Sequence, residues 1–155
     1  VLHWHFGMEL SEYLQRRHHR IMALFDRIQA LRSESDRQLD IALLKAELDD
    51  LAAVEGNRIF PVFERHDLLR EWTLELRARF SGLINRAAEL THSSFGQEHF
   101  ARNFDAVYHE VVSHFEKLEK DVVPLALQVI SRDELDTITQ GLDEEEARAR
   151  PPEAA

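Results

Sequence analysis

Leu51-Ala-Ala-Val-Glu55-Gly-Asn-Arg-Ile59-Phe60-Pro61 and His114-Phe-Glu-Lys-Leu118-Glu119-Lys-Asp-Val-Val-Pro124 read as two versions of one pattern. Leu51 and His114 each stand ten residues before a proline, and Glu55 and Leu118 follow them by four. Residues four apart share a helix face, so each stretch reads as the late part of a long helix. Proline removes a backbone donor there, which predicts a kink or break.

Working outward, each stretch has a partner. Before the first lies a helix over about 9–31, with Leu10, Leu14, Ile21, Leu24, Phe25, Ile28 and Leu31 in an apolar stripe whose gap is filled by His18. Between the two stretches, a helix opening near Asp67 carries Leu69, Trp72, Leu76, Phe80, Leu83, Ile84, Ala87 and Leu90. Within this pair, His18-x-x-Ile21-x-x-Leu24-Phe25 echoes Arg77-x-x-Phe80-x-x-Leu83-Ile84. Two similar helical hairpins predict an all-α, up-down four-helix bundle. Ser33–Asp36 reads as a turn, and Thr91–Gly96 as the clearest loop. Ser131 with Glu134 forms a capping box that opens a short C-terminal fifth helix. The bundle is assigned to residues 1–148. The charged, Pro/Ala-rich end from Asp143 is expected to fray, with 149–155 a flexible tail.

Composition narrows the function classes. A chain of 155 residues fits one domain with a real core. Its net charge of −10 argues against nucleic acid as the main partner, because phosphate binding needs a clustered basic face. Arg16, Arg17 and Arg20 read as the solvated side of a helix. No apolar run approaches the roughly 20 residues of a membrane span, and no signal-peptide layout is visible. With no cysteine there is no disulfide, thiolate nucleophile or cysteine metal site, which suits a reducing cytoplasm.

The motifs together resemble a family. Leu14-Gln-Arg-Arg-His18-His-Arg-Ile21-Met-Ala-Leu24-Phe25-Asp26, the Ala52–Pro61 stretch and the His114–Pro124 stretch are similar to the first, second and fourth helices of hemerythrin-like (HHE cation-binding) domains. The resemblance implies a non-haem di-iron site between four helices, used for oxygen, nitric oxide or iron handling and sensing. Carried over by position, His18 is the first-helix ligand, Glu55 a bridging carboxylate and His114 the fourth-helix histidine. Leu51 and Arg77 stand where that family has histidines, and Leu118 where it has the second bridging carboxylate. Three such donors do not normally hold two iron atoms. Glu119, five residues after His114, has the spacing that hemerythrins proper use with aspartate. A straight helix points it away from His114, and a local π-bulge is needed to turn it inward.

Two expectations follow. The first is a hemerythrin-like protein without its standard di-iron centre and without cofactor, acting as a binding, regulatory or structural module and not as an enzyme. Its buried Glu55 needs a counter-charge, and Arg77 is expected to supply it, with His18 or His114 bonded to the pair. The alternative is an altered iron site built from His18, Glu55, His114 and Glu119. No membrane partner is expected. A homodimer is a third reading, with Trp72, Phe95 or Phe100 at the contact if these are exposed.

Overall fold

The structure, a computed structural model, describes residues 2–31, 33–92 and 97–149, the side chains of 2–8 and 97 excepted. Among them there is no strand. Seven α-helices and two π segments follow in order: α1 (Leu2–Ala30), α2 (Glu34–Val54), the first π segment (Glu55–Ile59), α3 (Phe60–Phe63), α4 (Asp67–Glu89), α5 (Gln97–Lys117), the second π segment (Leu118–Val122), α6 (Val123–Val129) and α7 (Arg132–Ala149). They join into five helical rods packed as a bundle, α1 lying against α2 and α7, and α4 against α2 and α5.

Local chemistry sets most of the boundaries. Ser33 caps α2, its side chain accepting from the Asp36 N–H, so helix begins at Glu34 where the composition suggested a longer turn. The capping box at α7 is formed as expected. The Glu134 N–H donates to Ser131 Oγ at 3.2 Å, and the Ser131 N–H donates to Glu134 Oε1 at 3.0 Å. Glu134 also bonds His66 Nε2 at 2.9 Å, tying the start of α7 to the start of α4.

Of the kink or break expected at each proline, the break does not occur. Pro61 and Pro124 each sit in the first turn of a resumed helix, and the turn before each is widened. The Phe60 N–H bonds to the Glu55 carbonyl and the Val123 N–H to the Leu118 carbonyl, each five residues back. A proline in a regular helix lacks a donor and its ring presses on a carbonyl of the preceding turn. A π turn accommodates both, and the rod continues.

The fifth helix is a correction to the short one expected: α7 runs for 18 residues, so 143–149 are helical. Leu135, Ile138 and Leu142 are buried along it. Arg58 reaches across to Glu144 at 3.3 Å and Glu145 at 3.1 Å, holding the charged end. The expected tail from 150 onward, like residues 93–96 of the expected loop, lies outside the described residues. Among the described residues no helix is long and apolar enough to cross a membrane.

The core falls into two parts. One gathers Leu10, Leu14, Phe60, Phe63, Leu118, Val122 and the inner face of α7. The other gathers Ile21, Phe25, Leu44, Leu48, Leu51, Phe80, Val107, Val111 and Phe115. In sequence, His18 falls between Leu14 and Ile21, Glu55 between Leu51 and Ile59, and His114 between Val111 and Leu118. A polar layer therefore separates two apolar ones.

Candidate functional site

His18 sits on α1 with only 4% of its surface exposed. Its ring stacks on Phe115, centroids 3.7 Å apart and planes 7° from parallel. Nδ1 lies 2.6 Å from Glu119 Oε1. Glu119 is the second residue of the second π segment. Its approach to His18 is the geometry for which a regular helix would not serve, because the widened turn swings the residue after Leu118 toward α1.

Glu55 opens the first π segment and is 0% exposed. A carboxylate there must find a donor, and His114 Nε2 lies 2.9 Å from its Oε1. Phe80 meets the His114 ring edge-on at 4.3 Å. The layer is thus two closed pairs, His114 with Glu55 and His18 with Glu119, wedged between Phe80 and Phe115.

Burial pushes His18 down to about 4, with His114 and Arg17 acting in the same direction and Glu55 opposing. Burial likewise raises the Glu119 carboxyl, against Lys120. One proton therefore serves the His18–Glu119 contact, either as Nδ1–H donated to the carboxylate or as a carboxyl O–H donated to Nδ1. His18 Nε2, His114 Nδ1 and Glu55 Oε2 are buried and hydrogen-bond to no protein group.

Arg77 is a correction. It does not pair with Glu55. Its Nε donates to Glu64 Oε1 at 2.8 Å and its Nη1 to the Gly56 carbonyl at 3.2 Å, while the guanidinium lies 5.5 Å over the Phe60 ring. The Arg77 side chain stays 39% exposed. Reaching Glu55 would mean stripping water from a guanidinium, which costs more than an edge pairing with Glu64. Glu64 escaped the sequence reading because it is 13 residues from Arg77, in the turn between α3 and α4, a separation with no periodic signal. Gly56 is the one local hint: a Cβ there would stand 3.0 Å from Arg77 Nη1.

Leu51 and Leu118 are fully buried, one in each apolar layer. The residues present do not fit a di-iron centre. Two of the expected ligand positions are core leucines, a third carries an outward arginine, and the remaining donors bond one another. Among the described residues no three His, Cys, Asp or Glu side chains are grouped so that they could hold a metal ion. Of the residues considered for a dimer contact, Trp72 is 40% exposed with Lys117 Nζ 5.6 Å over its ring. Phe100 is half-buried beneath Arg37, and Phe95 lies outside the described residues. Compared with protein-family models, curated proteins and solved structures, the chain matches none of them.

Proposed function

We propose that this chain is a hemerythrin-like, up-down bundle in which a histidine–carboxylate layer stands in place of the standard di-iron centre, and that it serves as a binding, regulatory or structural module in the cytoplasm, not as an enzyme. The observation that carries this reading is the pairing of the layer's histidines with its carboxylates. Glu55 is bonded to His114, and His18 to Glu119, with Leu51 and Leu118 packed above and below. The hemerythrin-like part is supported by the order of His18, Glu55 and His114 on three rods, and by matching π segments before Pro61 and Pro124. A buried polar layer of this kind favours one register of the rods over others, since sliding a helix would leave a carboxylate without its donor.

A second reading is favoured by one observation. The second π segment brings Glu119 to His18, and His18 Nε2, His114 Nδ1 and Glu55 Oε2 remain without protein partners. Such a set suits an altered iron site for oxygen, nitric oxide or iron handling, after the two pairs open. A histidine that gives its other nitrogen to a carboxylate is the usual arrangement at metal sites.

Elemental analysis of untagged protein from iron-replete cells, with an absorption spectrum of the same sample, decides between them. The first reading expects colourless, well-folded protein without stoichiometric metal. Near-stoichiometric iron with a near-ultraviolet oxo-iron band would overturn it. Adding divalent metal to the purified protein gives an independent check, because a ligand that binds only the native state raises the melting temperature.

A further inference from the structure

Between α4 and α5 runs a groove of about 330 Å³, within the size range of small-ligand sites. Its walls carry three cations, Arg79, Arg86 and Lys117, against a single carboxylate, Glu110. Counting Glu75, which stands beside Arg79 and Lys117, three cations face two carboxylates, a net positive spot in a chain of net charge −10. The cations are not locked in place. Arg79 meets Glu75 at 2.8 Å, Lys117 meets Glu75 at 3.8 Å, and Arg86 meets Glu110, all on half-exposed or exposed side chains. Ion pairs of that kind contribute little and exchange readily for a better-placed anion.

Gly82 supplies the independent observation. Glycine inside a helix costs about 1 kcal/mol relative to alanine, and is usually kept for a positive φ or a close packing contact. Gly82 has neither: no glycine among the described residues has positive φ, and a Cβ built at 82 meets nothing within 4 Å. Gly56 and Gly141 differ, since Arg77 and Arg58 fill the space beside them. What a side chain at 82 would do is occupy the groove that this residue lines. A third feature points the same way. His114, 5% exposed and with Nδ1 unpartnered, also lines the groove, which thus leads from the surface to the polar layer.

We propose that this groove binds a small organic carboxylate, its head group held by Arg79, Arg86 and Lys117 and its apolar body laid over Gly82 and the stems of those side chains, against His114. Guanidinium groups match a carboxylate's two oxygens, and the aliphatic stems of the arginines and the lysine give the body an apolar surface that a bare anion would not use. The proposal deepens the binding-module reading by naming its ligand class, and rests on that reading for taking the chain to be a binder. The groove itself is made by α4 and α5 whatever the metal content.

The test is a titration of the ¹⁵N-labelled full chain with benzoate, benzamide and inorganic phosphate, followed by amide shifts, with iron content measured on the same sample. Benzoate is expected to give saturable shifts confined to 76–86 and 110–117. Arg79→Gln and Arg86→Gln should each weaken it about tenfold, the scale of one hydrogen bond to a charged group. Gly82→Leu, which has open space for its side chain and a better helix former, should melt no lower than the parent and lose benzoate binding. Benzamide binding as tightly as benzoate, phosphate binding as tightly as benzoate, shifts spread over other basic surfaces, or an unaffected Gly82→Leu variant would each overturn the proposal. Stoichiometric iron in the sample would overturn the metal-free reading and leave the groove's titration standing. Iron-free protein that ignores benzoate would overturn the groove alone.

Discussion

The two π segments occupy equivalent places in the two halves of the chain and do opposite things with them. Glu55 and Leu118 are the opening residues of the two segments, and Gly56 and Glu119 are the second residues. In the first half the acidic group comes first and is buried completely, so it needs a donor from across the bundle, and His114 of the second half supplies it. In the second half leucine comes first and joins the core, and the acid follows, 32% exposed at the edge. The first-half counterpart of Glu119 is Gly56, whose carbonyl takes Arg77, while Glu119 takes His18. Arg77 and His18 are themselves equivalents in the sequence repeat. The same backbone device thus serves a buried pair once and a rim pair once, and one residue of displacement decides which. Burial, not residue type, sets what each carboxylate is worth.

That contrast is broken most severely at Glu55. Glu55→Ala should cost about 3–5 kcal/mol in chemical denaturation, because it leaves a cavity and a buried His114 without its partner. The double variant Glu55→Leu/His114→Leu should recover most of that loss, since removing both polar partners is far milder than removing one. A double variant as unstable as Glu55→Ala would show that the pair does more than satisfy itself.

The next effect is one of pH. His18 is held down at about 4 in the folded chain, against about 6.5 for a free histidine. The unfolded state therefore binds more protons between these values, so stability rises with pH there. Read downward, stability present above about 6.5 is lost progressively toward about 4, by up to about 3 kcal/mol from this group. Glu119 is raised by burial and acts in the opposite sense, its contribution fading as pH rises. His18→Phe should flatten the window between 6.5 and 4 in a series of denaturant melts, and an unchanged slope would remove His18 as its source.

Smaller effects belong to the rim. Glu119→Ala should cost about 1–3 kcal/mol, because it leaves the buried His18 Nδ1 without its partner, yet less than Glu55→Ala, since the half-exposed Glu119 site leaves a smaller cavity; equal losses would mean that Glu119 is far more enclosed than its exposure suggests. Arg77→Gln should change stability by about 0–1 kcal/mol, as for other partly exposed ion pairs. A loss of several kcal/mol would restore Arg77 as the counter-charge of the buried layer.

Much of this was legible before any coordinates. The apolar stripes around Leu14 and Leu76 mark their rods because period-3.6 burial is written directly in residue order. Ser131 and Glu134 announce a helix start through chemistry that spans three residues. Even the inward turn of Glu119 could be stated as a condition, a π-bulge after His114. The partner of Arg77 was not legible, nor was the full length of α7, whose charged end is held by Arg58 on a distant segment. The π turn at Glu55 also went unread, where only a proline kink was expected.

The division has a physical cause. Residue order alone determines which positions are apolar, where helices can start, and which polar residues interrupt the stripes, because these depend on neighbours within a turn or two. His18, Glu55 and His114 were therefore identifiable as polar residues of the core, whereas Arg17, expected on the solvated side of its helix, is buried because its guanidinium reaches Tyr13 and Asp50. Which of them bond, and whether Arg77 joins them, depends on distances between rods and on how far each group can stay in water. Those quantities exist only once the bundle is packed. Tertiary structure closed the layer as His114–Glu55 and His18–Glu119, and left Arg77 outside it.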